Sequence, residues 1–233
     1  MESIIDLKGY GWMLWAGLVV TLEVGVCAAI VATLMGLLGS WGKLSRSVIA
    51  RTIANTYTVI VRGVPELVLI LLCYYGLTIL LQKLLRLVMG EEVLIDIDPF
   101  SAGVITIGLI YGAFATEVFR GAFQAVPKGQ LEAARATGMT PMLIFRRVLM
   151  PQALRYALPG LGNVWLVLIK ATSLVSVIQL SELLRSADIA ARAVRMPFTF
   201  YLLASIFYLG ITIVSMLGQQ RLEAWANRGV RRA

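Results

Sequence analysis

Five stretches of this chain are apolar for long enough to cross a lipid bilayer, and that leaves few folds open to it. They run roughly over residues 10–38, 52–81, 100–116, 158–177 and 198–217. A hydrocarbon core about 30 Å thick needs about 20 apolar residues in a helix. Lipid offers no hydrogen bonds to a free backbone, so such runs are expected as helices and not as loops or open sheet. The composition agrees: 59% of the 233 residues are hydrophobic and only 15% charged, with mean hydropathy +0.83, too apolar for a soluble domain of this size. The expected fold is an all-α integral membrane protein of five transmembrane helices, a single transmembrane domain over 1–233. It shows no second domain, internal repeat or low-complexity tract. The second run is the least regular. Arg62-Gly63-Val64-Pro65-Glu66 interrupts it, and its first ten residues fit an interfacial helix as well as a span.

The charges between the runs set an orientation. The first connection carries Lys43, Arg46 and Arg51 without an acid. The long connection before the fourth run carries Arg120, Lys128, Arg135, Arg146, Arg147 and Arg155 against Glu132. The tail carries Arg221, Arg228, Arg231 and Arg232 against Glu223. Basic loops stay in the cytoplasm, so these three are expected inside. Glu2, Asp6, Glu91, Glu92, Asp96 and Asp98 fall on the other side. The loop before the last run is mixed, with Arg185, Arg192 and Arg195 against Glu182 and Asp188. The N-terminus is therefore expected outside, in the periplasm, and the C-terminus in the cytoplasm. On this reading the net charge of +8 reflects loops that meet lipid headgroups, with no nucleic-acid partner. Met1-Glu2-Ser3 lacks the basic start of a signal peptide, so the first run is expected as a retained span. Trp12, Trp15 and Trp41 fit interfacial anchors. With no His in the chain, imidazole metal sites and His acid/base chemistry are excluded, and no metal site is expected. Cys27 and Cys73 lie in apolar runs and are read as small buried hydrophobes without a disulfide.

The most informative polar segment lies in the long basic connection: Glu132-Ala133-Ala134, then Gly138, then Val148-Leu149-Met150-Pro151. Residues 130–137 are good helix formers, and Gly138 can end that helix because glycine reaches positive φ at little cost. Thr140 and Pro141 suit the N-cap and first position of a second short helix. Helix, turn, helix lying along the membrane makes a rigid knob that can transmit a push to a soluble partner. The same amphipathic segment could also lie on anionic lipid.

The spacing resembles the cytoplasmic coupling loop of bacterial ABC importer permeases, the EAA loop, over about 129–152. Val148 and Met150 replace the commoner Ile and Leu. Further stretches resemble permeases of the polar amino-acid uptake family: Arg62-Gly63-Val64-Pro65-Glu66-Leu67, Thr116-Glu117-Val118-Phe119-Arg120-Gly121, Val126-Pro127-Lys128-Gly129-Gln130, Leu158-Pro159, Asn163 and Lys170-Ala171-Thr172-Ser173-Leu174. The resemblance covers about 55–178. It is greatest to the smaller permease subunits of histidine/lysine/arginine/ornithine importers and their opine-transporting relatives. It implies a type I importer permease in the bacterial inner membrane, working by alternating access. Glu132, Ala133, Ala134, Gly138 and Pro151 would couple it to an ATPase. The implied partners are a second homologous permease, with a heterodimer favoured, two cytoplasmic ATP-binding subunits and a periplasmic substrate-binding protein. The chain would be no enzyme and hold no cofactor. ATP would be bound by the partner ATPase, since the sequence has no Gly-x-x-x-x-Gly-Lys-[Ser/Thr] phosphate loop.

Polar residues inside the runs, Arg62, Glu66, Asn163 and Lys170, are the candidate substrate contacts. Gly63 and Pro65 should break a membrane helix beside Glu66. Counted from Thr52, Glu66 lies about 20 Å in, near mid-membrane. A carboxylate there must be paired or wet. Glu66 either meets a cationic substrate group or forms a fixed ion pair with Arg62 or Lys170. Lys170 either attracts a substrate carboxylate or neutralises Glu66. Asn163 either contacts substrate or bonds between helices, and Thr172 and Ser173 could add neutral hydrogen bonds. Glu23 is expected to find an interhelical partner, and Glu117 with Arg120 to form a local pair. Two other classes stand beside the importer reading: an ATPase-independent secondary transporter, whose kind usually carries repeats around broken helices, and a membrane enzyme, for which the catalytic clusters are missing.

Overall fold

The computed structural model describes residues 9–89 and 97–227. Glu2, Asp6, Glu91, Glu92, Asp96, Arg228, Arg231 and Arg232 lie outside the described residues. The helices are α1 (Gly11–Leu44), α2 (Val48–Gly63), α3 (Glu66–Leu71), α4 (Leu77–Met89), α5 (Pro99–Ala125), α6 (Lys128–Ala136), α7 (Pro141–Ile144), α8 (Met150–Ala171), α9 (Leu183–Val194) and α10 (Pro197–Ala226). A π turn, Leu72–Gly76, joins α3 to α4, and another, Phe145–Leu149, joins α7 to α8. A 3₁₀ stretch, Thr172–Ile178, ends α8. Among the described residues, five helical stretches are long and apolar enough to span a membrane: Gly11–Leu44, Glu66–Leu87, Pro99–Ala125, Pro141–Ile178 and Pro197–Ala226. The expected five-span, all-α fold is present.

The first helix is longer than its apolar run. At 1.5 Å per residue its 34 residues reach about 51 Å, well beyond the hydrocarbon core. The helix is therefore longer than a straight crossing of the core requires.

The second span starts later than its apolar run, in line with the alternative that gave the first ten residues of that run to a separate helix. Residues 52–63 belong to α2, a separate amphipathic helix, and the apolar span begins only at Glu66. The physical cause is local. Pro65 has no N–H to give a helix and pushes the preceding residue out of helical geometry, so Val64 is extended at φ −104° and ψ 139°.

The core is the pairing of α1 with α5. Gly36 lies against Ala115 and Gly39 against Thr116. A Cβ on Gly36 would sit 2.6 Å from that of Ala115, and one on Gly39 would sit 2.3 Å from Thr116 Oγ1. Small residues here let two backbones meet as membrane helices prefer. Val24, Ala28 and Ala32 pack on Ile107, Ile110 and Tyr111, with Leu168 and Val175 closing the cluster.

At the other end of the bundle α9 folds back over α1 and α10 through Leu14, Leu18, Leu183, Ala187 and Phe200. Glu182, fully buried, fastens this corner. Its carboxylate accepts from the N–H of Leu184 at 2.8 Å and of Arg185 at 2.7 Å, capping α9, and from the Tyr208 hydroxyl at 3.0 Å. Thr21 on α1 accepts from the Leu183 N–H at 3.0 Å.

Several smaller expectations are settled. Cys27 and Cys73 are half-buried and free. Trp12, Trp15 and Trp41 all project outward. Glu23 is exposed, and the interhelical partner expected for it is not found among the described residues. Glu117 does pair with Arg120, at 2.8 Å, and also with Lys43 at the end of α1, so the pair is not merely local.

Candidate functional site: a mid-bundle cavity and a helical knob

The break at Val64-Pro65 points the start of α3 at the middle of α5. Glu66 Oε1 accepts a hydrogen bond from the Tyr111 hydroxyl at 3.0 Å. Tyr111 lies twelve residues into α5, about 18 Å along it. The mid-bundle depth of Glu66 thus rests on its neighbour, not on a continuous helix counted from Thr52. Arg62, at the end of α2, lays its guanidinium over the Phe114 ring, 5.2 Å from the centroid, an attraction of cation to ring face.

Arg62, Glu66, Tyr111, Phe114, Glu117 and Asn163 line one cavity of about 330 Å³, with Gly160, Val164 and Val167 of α8 as its apolar wall. The structure therefore brings together three of the four candidate substrate contacts. Lys170 is not among them. It is exposed two turns beyond Asn163 on α8. Among the described residues Glu66 forms no ion pair, with either Arg62 or Lys170.

Glu66 is only half-buried and keeps lone pairs beyond the one bonded by Tyr111. Arg62 is exposed, held by an aromatic ring and by no acid. The cavity thus offers a carboxylate and a guanidinium, both short of charged partners, with an amide on the facing helix. Such a set can bind a small molecule that carries both charges. Tyr111 and Phe114 escaped the sequence reading, although both lie one or two turns before Glu117 on one helix. Glu117 was seen only as half of a pair.

The second feature is the basic segment after α5. Helix α6 ends at Ala136 with Thr137 as its C-cap, and Gly138 follows at φ +79°. The Gly138 N–H bonds to the Arg135 carbonyl at 3.0 Å and the Met139 N–H to the Ala134 carbonyl at 3.2 Å. These two bonds satisfy carbonyls that a helix end leaves open. Glu132 and Ala133 are exposed, while Ala134 is buried against the body. Thr140 and Pro141 take the N-cap and first position, though the Thr140 side chain makes no capping bond.

The second helix of the knob is not separate, as the sequence led us to expect. One turn of α7 runs through the π turn directly into α8, a single helical stretch from Pro141 to Ile178. Pro151 explains the widening. It has no N–H for the carbonyl four residues back, so the preceding turn adopts the longer π pattern.

Comparison with known proteins agrees with this architecture. Residues 25–228 match the family model for the binding-protein-dependent transport system inner membrane component. The chain is 44% identical to the histidine/lysine/arginine/ornithine transport system permease protein HisQ of Escherichia coli (strain K12), over 97% of this chain and 99% of that one. It is 45% identical to the nopaline transport system permease protein NocQ of Agrobacterium fabrum, over 96% of this chain and 94% of that one. Its fold superimposes on a crystal structure of an amino acid ABC transporter with histidines at TM-score 0.81 and 31% identity, covering 96% of this chain and 99% of the other. With five membrane-spanning helices and this match over most of its length, the chain belongs to the family of binding-protein-dependent transport system inner membrane components.

Proposed function

We propose that the chain is the permease subunit of an ATP-driven importer of basic amino acids, of the histidine/lysine/arginine/ornithine class. The observation that carries this reading is the 330 Å³ cavity in which Glu66, Arg62 and Asn163 converge at mid-bundle. Glu66 takes the cationic side chain of the substrate, Arg62 its α-carboxylate, and Asn163 a neutral hydrogen bond. Tyr111 holds the Glu66 carboxylate in place. Glu117 is already occupied by Lys43 and Arg120 and closes the cavity at its far end. An opine importer is the second reading, supported by the similar identity to a nopaline permease.

The basic connections face the cytoplasm, with the N-terminus periplasmic and the C-terminus cytoplasmic. A second, homologous permease completes the pathway, and a periplasmic binding protein delivers the substrate. Two cytoplasmic ATP-binding subunits receive the knob built by Glu132, Ala133, Ala134, Gly138 and Pro151, and they alone hydrolyse ATP. Their closure moves the knob, and α8 carries the motion to the cavity. Access then alternates between the two sides.

The test is uptake of radiolabelled arginine, lysine and nopaline by the complete importer in proteoliposomes. Glu66→Gln keeps the shape of the side chain and removes its charge. Loss of one member of a desolvated charge pair costs about 2–5 kcal/mol, so uptake of cationic substrates should fall at least about tenfold. Membrane insertion and assembly with the ATPase should be unchanged. Full uptake by Glu66→Gln, or by Glu66→Gln with Lys170→Met, would remove Glu66 from the substrate site.

A further inference from the structure

A second cavity, about twice the volume of the polar one, is almost wholly apolar. About 650 Å³ lies between the end of α1, the end of α5 and the coupling segment, walled by Leu38, Trp41, Phe123, Leu131, Phe145 and Leu149. Apart from Ser40 and Gln124, its lining side chains are apolar. It is open on one side: Leu38, Trp41 and Phe145 are 58%, 75% and 43% exposed. An open apolar cavity of this size in water would be unfavourable, but at the edge of a bilayer it has a natural occupant.

Two observations place it there and choose the occupant. Trp41 stands in its wall near the end of the first span, where amphipathic rings favour the headgroup level. The rim is basic. Arg146 and Arg147 stand on the same turn as Phe145 and Leu149, and Lys128 lies one turn before Leu131. All three are exposed and without an ion pair among the described residues. Arg120 bonds Gln124, one turn further along α5, at 3.0 Å. Glu132 is the opposing charge on α6, and Glu117 is neutralised by Lys43 and Arg120.

We infer that this cavity is a binding site for an anionic phospholipid of the inner leaflet, its acyl chains between α1 and the coupling segment and its headgroup on Arg146, Arg147 and Lys128. The bound lipid forms the floor on which α6 rests, because Leu131 of α6 and Phe145 and Leu149 of the π turn touch it directly. The inference rests on the cytoplasmic placement of the basic loops in the proposed function.

The test uses the complete importer, with Trp41 the only tryptophan left in this chain (Trp12, Trp15, Trp165 and Trp225→Phe) and the signal of the same complex carrying Trp41→Phe subtracted as the partners' background, in vesicles of phosphatidylcholine. Brominated phosphatidylglycerol or brominated phosphatidylcholine is then titrated in and Trp41 fluorescence is read. Half-quenching should need at least about fivefold less phosphatidylglycerol, the ratio that one basic side chain near an anionic surface supplies. Arg146→Gln with Arg147→Gln should abolish that preference and leave the quenching by phosphatidylcholine. Native mass spectrometry of the unmodified complex should show phosphatidylglycerol retained, and lost in the double variant, which keeps the test independent of the tryptophan replacements. Equal quenching by both lipids would mean an ordinary lipid-facing surface, and no quenching by either would mean that a partner protein covers the cavity. Each result would overturn the inference. Stimulation of ATP hydrolysis by loaded binding protein, measured on the same vesicles, tests the importer reading separately. A complex can fail there and still show the lipid preference.

Discussion

Gly138 isolates a single physical requirement in the coupling segment. Its φ of +79° is closed to most side chains by backbone sterics, while nothing lies within 4 Å of where a Cβ would stand. A substitution there meets no packing clash. It meets only the conformational cost, about 1–2 kcal/mol for an ordinary L-residue in the left-handed region. A β-branched residue costs more, and Asn, whose short polar side chain visits that region, costs less. A change of about 1–2 kcal/mol is a factor of roughly 5–30 in an equilibrium. The turn carries two backbone bonds, from Gly138 to Arg135 and from Met139 to Ala134, so its loss frees the end of α6 from the start of α7. The expected order of transport activity is therefore wild type, then Gly138→Asn, then Gly138→Ala, then Gly138→Val. Assembly should stay constant, and ATPase stimulation by loaded binding protein should fall in step with uptake. The assay is a reconstituted importer, with uptake and ATP hydrolysis measured on the same vesicles. Equal activity of the Val and Asn variants would refute the reasoning, because no space argument could then stand in for the backbone one.

The same geometry predicts two further outcomes. In a Cys27→Ser, Cys73→Ser background, a cysteine at Arg46 or Arg135 should resist a membrane-impermeant thiol reagent in intact spheroplasts, while one at Ser181 should react. Labelling of position 46 from outside would reverse the orientation proposed. Gly39→Val should destabilise the α1–α5 pair by about 1–3 kcal/mol through overpacking, read as a lower melting temperature in detergent. Thr116→Ala should recover part of it, since the new Cβ would otherwise sit 2.3 Å from Thr116 Oγ1.

The spans were legible because lipid imposes a simple rule on composition, and their ends were not. Residues 39–44 continue α1 past its apolar run because Trp41, Gly42 and Lys43 tolerate both helix and interface. Residues 52–63 read as membrane because they hold Ile53, Val59, Ile60 and Val61. Their polar neighbours Asn55, Thr56, Tyr57 and Thr58 mark them equally as an amphipathic helix, and only Pro65 decides where the break falls. In the cavity, Arg62, Glu66 and Asn163 could be found as polar residues in apolar runs. Tyr111 and Phe114 could not, since an aromatic in a span is ordinarily packing. Lys170 could be found the same way as Asn163, but it lies seven residues, about 10 Å, further along α8 and away from Glu66. Glu182 was counted as one charge in a mixed loop. Its role at the α9 cap needs Thr21 and Tyr208 from helices far away in sequence.

The knob and the cavity share a helix, which gives the proposed coupling a mechanical path. The stretch from Pro141 to Ile178 begins at the turn after Gly138 and carries Gly160, Asn163, Val164 and Val167 on the cavity wall. Pro151 and Asn163 are twelve residues apart, about 18 Å along the axis. A helix transmits displacement along its length as long as its ladder of hydrogen bonds is intact. This one is weakened at the π turn before Pro151 and at Pro159, whose missing N–H leaves a carbonyl one turn back without its helical donor. The lower half is anchored by Arg155, which donates to the Ala226 carbonyl of α10 at 2.8 Å, and the upper half by Trp165, which donates to Ser215 at 2.9 Å. Both anchors sit on α10 and pair it with α8, while α1 and α5 are paired through their glycine contacts and Gly160 of α8 packs on Val118 of α5. The cavity lies on the boundary between those two pairs: Tyr111 and Glu117 on the α5 side, Asn163 on the α8 side, and Glu66 at the start of α3. In the proposed mechanism a push at the knob changes the distance between Asn163 and Glu66, and with it the fit of whatever bridges them.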